Sequence, residues 1–113
     1  MQMTTLTFQS LSEEVRLRIL ALLLDTEELC VCDFMSVLQL PQSTVSRHLA
    51  HLKNAGWVRD RREGVWSYYT MAHPLATLQQ ALLPVLEKVF HEQEIAKVDR
   101  ARLIACQQKG RCT

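Results

Sequence analysis

Leu40-Pro41-Gln42-Ser43-Thr44-Val45-Ser46-Arg47-His48-Leu49 is a turn that runs into an amphipathic helix. Pro41 suits the first helical position, where its missing N–H would be unpaired in any case. Val45, Leu49 and Leu52 form an inward stripe that carries the helix to about Asn54, and Asn54-Ala55-Gly56 ends it with Gly56 as a left-handed cap. Gln42, Ser43, Ser46 and Arg47 lie opposite that stripe, near the helix start, where side chains reach base edges in a major groove. Arg47 is suited to guanine or phosphate and Gln42 to adenine. With Thr44 and His48, these residues make up the candidate recognition helix.

Downstream, 58–62 and Val65-Trp66-Ser67-Tyr68-Tyr69 flank Glu63-Gly64, two β-rich runs around a glycine turn, which predicts a hairpin. Arg61 and Arg62 lie near its tip and are candidate contacts to phosphate or the minor groove, whereas Trp66 is read as a packing residue. Upstream, Cys30, Phe34, Val37 and Leu38 define one side of a short helix that leads into the Leu40-Pro41 turn. Before it, Ser12 is expected to cap a helix whose first turn is acidic. Val15, Ile19, Leu22 and Leu23 form its buried face, with Arg16 and Arg18 pointing away. Residues 4–9 form a short helical start. Residues 75–98 read as one long helix with Leu78, Leu82, Val85, Leu86 and Val89 on its apolar face and a bend or restart at Pro84.

This order of elements, mainly α with a β-hairpin wing, is a winged helix-turn-helix in one domain over residues 1–106, followed by a loose polar tail at 107–113. A hydrophobic content of 48% is globular rather than disordered. The net charge of +1 hides an uneven distribution. An acidic stretch at 13–33 precedes a basic one at 41–62 that contains Arg47, Lys53, Arg59, Arg61 and Arg62, a local footprint for double-stranded DNA. No apolar run is long enough to span a bilayer, and the first residues show neither a basic n-region nor an h-region, so a cytoplasmic protein with reduced thiols is expected. With no Cys-x-x-Cys, no glycine-rich phosphate loop and no nucleophile–base pair, an enzyme is not expected.

Glu28-Leu29-Cys30-Val31-Cys32-Asp33 holds two of the chain's four cysteines. In a regular helix residues i and i+2 are about 200° apart, so these thiols would face opposite sides and share a ligand only if the helix start unwinds. Soft thiolates select soft ions. Two buried structural cysteines are the plain alternative. A Cys30–Cys32 disulfide acting as a redox switch is another, disfavoured by its one-residue loop.

Together these segments resemble the ArsR/SmtB family of metal- and metalloid-responsive repressors over about residues 6–90. The resemblance is carried by Leu11-Ser12-Glu13-Glu14-Val15-Arg16-Leu17, the cysteine hexapeptide, Ser43-Thr44-Val45-Ser46-Arg47-His48-Leu49, and Gly56 before a wing with Gly64 and Tyr68-Tyr69. It implies a homodimer joined through the first and last helices, here 4–9 and 75–98. That dimer binds operator DNA and is released when trivalent arsenic or antimony binds Cys30 and Cys32, with no catalytic cofactor. Met35 stands where the arsenite sensors often carry a third cysteine, leaving Cys106 and Cys112 as candidate third thiols. Pro41 stands where a serine cap is common. The cadmium/lead sensors share the cysteine box but add cysteines from an N-terminal arm, and residues 1–7 contain none.

Overall fold

The computed structural model describes residues 1–109. Helix α1 (Gln2–Ser10) leads to α2 (Glu14–Leu24), a two-residue strand β1 (Leu29–Cys30), α3 (Val31–Leu38) and α4 (Gln42–Asn54). The hairpin β2 (Val58–Glu63) and β3 (Trp66–Met71) follows, then α5 (Thr77–Glu92) and α6 (Glu94–Gln108). The sheet is antiparallel in the order β1-β3-β2, so the first strand joins the wing, with Leu29 opposite Tyr69 and Cys30 opposite Tyr68. This is a winged helix-turn-helix, as expected. The sequence reading missed β1, because two residues carry no periodicity.

The core is built where α2, α3 and α4 meet. Ile19, Leu20 and Leu23 of α2, Phe34 and Val37 of α3, and Val45, Leu49 and Leu52 of α4 are fully buried together with Trp57. Burial of each such side chain is worth about 1.5–3 kcal/mol. The α3–α4 turn places Gln39 in the left-handed region at φ 57, and Gly56 after α4 takes φ 84, the cap expected of it. Pro41 is the N-cap of α4 rather than its first helical residue. Phe8 of α1 stays half exposed.

Three expectations for the helical frame are corrected. Ser12 does not cap α2. Glu13 does, accepting the Val15 and Arg16 amides at 3.0 and 3.3 Å, while the Ser12 hydroxyl donates to the Gln9 carbonyl. The Glu13 carboxylate satisfies two of the free amides at the helix start, and its negative charge favours the helix dipole. Nor do Arg16 and Arg18 point away. Arg18 reaches Asp99 of α6 through two 2.8 Å hydrogen bonds, with the Asp99 side chain only 2% exposed. The C-terminal segment breaks at Gln93 (φ −89, ψ 125), not at Pro84, which α5 accommodates. Helix α6 then folds back on α2 and α3, burying Ala96, Asp99 and Leu103. An aspartate on its inward stripe hid this helix from an apolar-periodicity reading. It continues through 107 and 108, past the expected start of the tail.

Arg16 organises a second polar knot. Its Nε donates to the Ser10 carbonyl (2.9 Å), one Nη to the Gln9 carbonyl (3.1 Å), and the other lies 3.2 Å from His48 Nδ1. Trp57 Nε1 donates to Ser10 Oγ at 2.9 Å. The end of α1, the start of α2 and the middle of α4 are therefore tied to one another. Facing an arginine donor, His48 Nδ1 serves as an acceptor on a neutral ring. Burial holds the His48 pKa below its ordinary value. Glu13, 3.6 Å away, pulls it up, and Arg47, Arg16 and His51 push it down.

Replacing Asp99 by alanine leaves a largely buried guanidinium unpaired and lowers stability by about 3–5 kcal/mol, toward the lower end because Arg18 keeps some water contact. Urea denaturation measures this, and Arg18→Met with Asp99→Leu regains most of the loss. For His48 the depressed folded pKa means that the unfolded chain binds more protons. Its contribution is complete above the unfolded value of about 6.5 and declines as pH falls through it. The urea midpoint is expected to drop between about pH 7.5 and 5.5 and to drop less in His48→Gln. His51, also lowered by burial and by Arg16, contributes in the same sense.

Candidate functional site

Cys30 ends β1 and caps α3 at the same time. Its backbone is extended (φ −85, ψ 163), its Sγ accepts the Asp33 amide at 3.3 Å, and Asp33 Oδ2 accepts the Cys30 amide at 2.8 Å. This reciprocal pair is a capping box with sulfur in the place of a hydroxyl. The Cys30-x-x-Asp33 spacing is the signal in the sequence that identifies it.

That geometry corrects the expectation that the two thiols face apart. Cys30 lies outside the helix and Cys32 in its first turn, with the Cα atoms 5.2 Å apart and the sulfurs joined as a disulfide. Opposed faces require helical backbone at both residues, and Cys30 is extended. The sulfurs therefore meet without unwinding α3, and the one-residue loop does not prevent the bond. Among the described residues, Cys30, Cys32 and Asp33 form the cluster able to hold a metal, with ligand atoms within 4.8 Å of one another. Two adjacent soft sulfurs suit a thiophilic ion once reduced. Cys106 is outside the cluster and packs half-buried on the core. Cys112 lies outside the described residues.

Cys30 is buried and Cys32 half-buried, and Cys32 lines a cleft of about 230 Å³. The walls are Val31, Cys32 and Met35 of α3, Gln42 at the start of α4, and Val65, Trp66 and Ser67 at the wing tip. Trp66, read from sequence as packing, is 45% exposed and forms the far side of this cleft. The thiol pair thus borders both elements expected to meet DNA.

Gln42, Ser43 and Arg47 are exposed on α4, and Thr44 and Ser46 are half-buried. His48 is not on that surface. It is 5% exposed and engaged with Arg16, because it sits one residue from the Leu49 stripe. Helix α4 has no side-chain cap, so its first amides remain for solvent or a phosphate. The two wing arginines differ. Arg61 makes a bidentate pair with Glu28 (2.7 Å to each oxygen), a 3.0 Å pair with Glu63, and stacks over Tyr68 at 4.5 Å. It braces β2 against the segment entering β1. Arg62 points to the opposite face of the strand. Arg47, Arg59 and Arg62 are exposed and form no ion pair among the described residues. No helix of the described residues is long and apolar enough to cross a membrane.

The chain matches the profile described as "Bacterial regulatory protein, arsR family" over residues 13–60. It is 42% identical over 78 residues to the arsenic resistance transcriptional regulator ArsR2 of Pseudomonas putida, covering 69% of this chain and 68% of that one. It is 43% identical over 65 residues to the arsenical resistance operon repressor of Escherichia coli K12, covering 58% and 56%. Against a Staphylococcus aureus cadmium resistance regulator, a CadC homolog, identity is 34% over 92 residues, covering 80% and 71%.

Among solved structures, HlyU from Vibrio cholerae superposes with a TM-score of 0.67 at 33% identity, covering 80% of this chain and 94% of that one. A homodimeric winged helix-turn-helix DNA-binding domain from Mycobacterium bovis gives 0.64 at 28%, covering 82% and 86%. The AntR antimony-specific transcriptional repressor gives 0.64 at 26%, covering 83% and 79%. The matched profile lies on the segment that carries the capped cysteine pair, α4 and the start of the wing, and the chain belongs to the arsR family of bacterial transcription regulators.

Proposed function

We propose that this protein is a homodimeric, cytoplasmic repressor of an arsenic-resistance operon, released from operator DNA when trivalent arsenic or antimony binds Cys30 and Cys32. The observation that carries this reading is the meeting of the two sulfurs at the joint between the wing sheet and α3, beside the start of α4. The arsenic-resistance relatives and the antimony-specific structural neighbour support the choice of metalloid.

The reduced pair supplies two thiolates, and the metalloid contributes a soft, thiophilic centre that holds both sulfurs. Chain geometry accounts for the leverage. Cys30 Sγ is the acceptor that caps α3, and a cap of this kind is worth about 0.5–2 kcal/mol. A metalloid between the sulfurs holds them farther apart than their direct bond does, which moves the Cys30 sulfur relative to the Asp33 amide it caps. It also shifts Cys30 against Tyr68, its partner in the wing. Helix α3 packs on α4, so the angle between recognition helix and wing changes. The leverage cannot exceed the difference in ligand affinity between the DNA-bound and free states. In this reading Gln42, Ser43, Thr44, Ser46, Arg47 and Arg62 face DNA, and Arg61 supports the wing. Helices α1 and α5 join the two copies, since Phe8, Val85 and Val89 are exposed apolar residues there.

Two observations favour other inducers. The CadC homolog, a cadmium resistance regulator, points to cadmium, and the bonded sulfurs point to a thiol redox switch. An operator shift with reduced protein separates them. Arsenite or antimonite releases DNA in the proposed case, cadmium or lead in the second, and a disulfide-forming oxidant alone in the third.

In the proposed case Cys30→Ser and Cys32→Ser each keep operator binding and lose arsenite release. A double variant that still lets go at the wild-type arsenite concentration would sink the mechanism. Arg47→Ala weakens operator binding by about 1–3 kcal/mol if it reads a base. Arg62→Ala reduces the salt dependence of binding by about one phosphate contact. Fluorescence anisotropy across a salt series measures both, and no change in either variant would remove the assigned DNA face.

A further inference from the structure

We infer that Arg16 and His48 are positioning residues for DNA binding: their contact, made only to a neutral ring, holds α4 at the angle that fits an operator. This rests on the reading of α4 as the DNA-facing helix. It is independent of the inducer bound at the cysteine pair.

The geometry is a three-way fork. Arg16, in the first turn of α2, donates from Nε to the Ser10 carbonyl at 2.9 Å and from one Nη to the Gln9 carbonyl at 3.1 Å, both at the end of α1. Its other Nη lies 3.2 Å from His48 Nδ1, in the middle of α4. Ser10 is fully buried, and its hydroxyl oxygen accepts Trp57 Nε1 at 2.9 Å. Trp57 leads directly into β2. One polar cluster thus sets both α4 and the entry to the wing against the end of α1. Arg47 precedes His48, so a shift of α4 at the fork moves the exposed side chain best placed to read a base.

The fork depends on the protonation state of one ring. A guanidinium only donates, and a protonated imidazole has no acceptor left to offer it. Glu13 Oε2 lies 3.6 Å from the same Nδ1 and already accepts the Val15 and Arg16 amides. A ring that takes a proton from solvent loses Arg16 and turns Nδ1–H toward Glu13, in competition with those amides. Arg16 then ties α1 to α2 but no longer holds α4. The charged and titratable groups acting on the ring are Glu13 and Arg16 at the start of α2, and Arg47 and His51 on α4. The end of α1 presents carbonyls and a hydroxyl. Burial is the largest influence and, with Arg47, Arg16 and His51, outweighs Glu13, which keeps the ring neutral near neutral pH.

The sign of the effect is diagnostic. If the protonated form does not fit the operator, apparent affinity falls with the fraction of protein that stays neutral. A histidine acting as a through-space charge on phosphate would do the reverse and strengthen binding as pH falls.

The experiment uses the full chain, reduced with a phosphine, and two duplexes of equal length. One is selected by the wild-type protein from a random pool, and the other is its scrambled sequence. Affinity is read by fluorescence anisotropy at constant ionic strength from about pH 7.5 to 5.5, around the ordinary histidine range, with circular dichroism confirming the fold at each point. Wild-type affinity for the selected duplex should fall with pH by roughly threefold or more beyond any fall in His48→Asn. The asparagine oxygen can accept from Arg16 but does not titrate. His48→Leu has no acceptor. At the upper pH it should bind the selected duplex about tenfold or more weakly than wild type, and the scrambled duplex within about twofold, since no charge facing phosphate is removed. Arg16→Lys keeps the charge but not the fork and should match His48→Leu. A loss of stability alone would weaken both duplexes together. Wild-type affinity that rises, or that tracks His48→Asn, as pH falls would overturn this inference and leave α4 as the recognition helix. So would a folded His48→Leu that binds the selected duplex like wild type. If His48→Leu does not fold, the wild-type and His48→Asn profiles decide. If Arg47→Ala, measured alongside, binds both duplexes as wild type does, the DNA face assigned to α4 fails and this inference with it.

Discussion

Cys30 belongs to two elements at once, and most of the functional geometry depends on that. Its backbone pairs with Tyr68 in the wing sheet while its side chain caps α3. A residue serving as a strand end and as a helix N-cap must be extended, and only an extended Cys30 lets its sulfur turn back over the first turn of α3 to meet Cys32. The Asp33 carboxylate completes the arrangement by holding the Cys30 amide, so neither backbone nor sulfur is free to drift. The two sulfurs therefore sit at the junction of the wing sheet and α3 rather than on a helix surface.

The elements around this junction are tied to one another by ion pairs and hydrogen bonds. Arg61, held by Glu28 and Glu63 and stacked on Tyr68, fixes the wing sheet beside the junction. On the far side α6 clamps α2 through Arg18 and Asp99 and reaches the end of α3, where Arg102 donates to the Val37 carbonyl at 3.3 Å. Arg100 and Asp25 add a more exposed link at 2.7 Å. Buried or bidentate pairs of this kind give positional definition more than net stability, since desolvation offsets much of their attraction. The recognition helix is fixed in turn by the Arg16–His48 contact and by the fully buried Val45, Leu49 and Leu52.

Charge is divided by role across this frame. Arg16, Arg18 and Arg61 carry structure, each bound to carbonyls or carboxylates of another segment. Arg47, Arg59 and Arg62 remain exposed. Counting basic residues in the 41–62 stretch therefore overstates the surface offered to a phosphate backbone. The uncapped start of α4 partly offsets this, because free helix amides attract anions without any side-chain charge.

The sequence by itself determined the local elements. The stripe of Val45, Leu49 and Leu52, the glycines at 56 and 64, and the β-rich runs around Glu63-Gly64 specify a helix, its cap and a hairpin through interactions a few residues apart. The cysteine hexapeptide and the exposed Gln42, Ser43 and Arg47 were legible for the same reason. What only tertiary structure decided lay in contacts distant along the chain. Strand β1 exists because β3 is there to pair with it. Arg18 turns inward because Asp99, 81 residues later, is there to meet it. His48 leaves the exposed face of α4 because Arg16 takes its ring nitrogen, and Cys32 gains a cleft because the wing tip folds over it. Periodicity reports which side of an element is apolar. It does not report which polar group on that side has a partner waiting across the core.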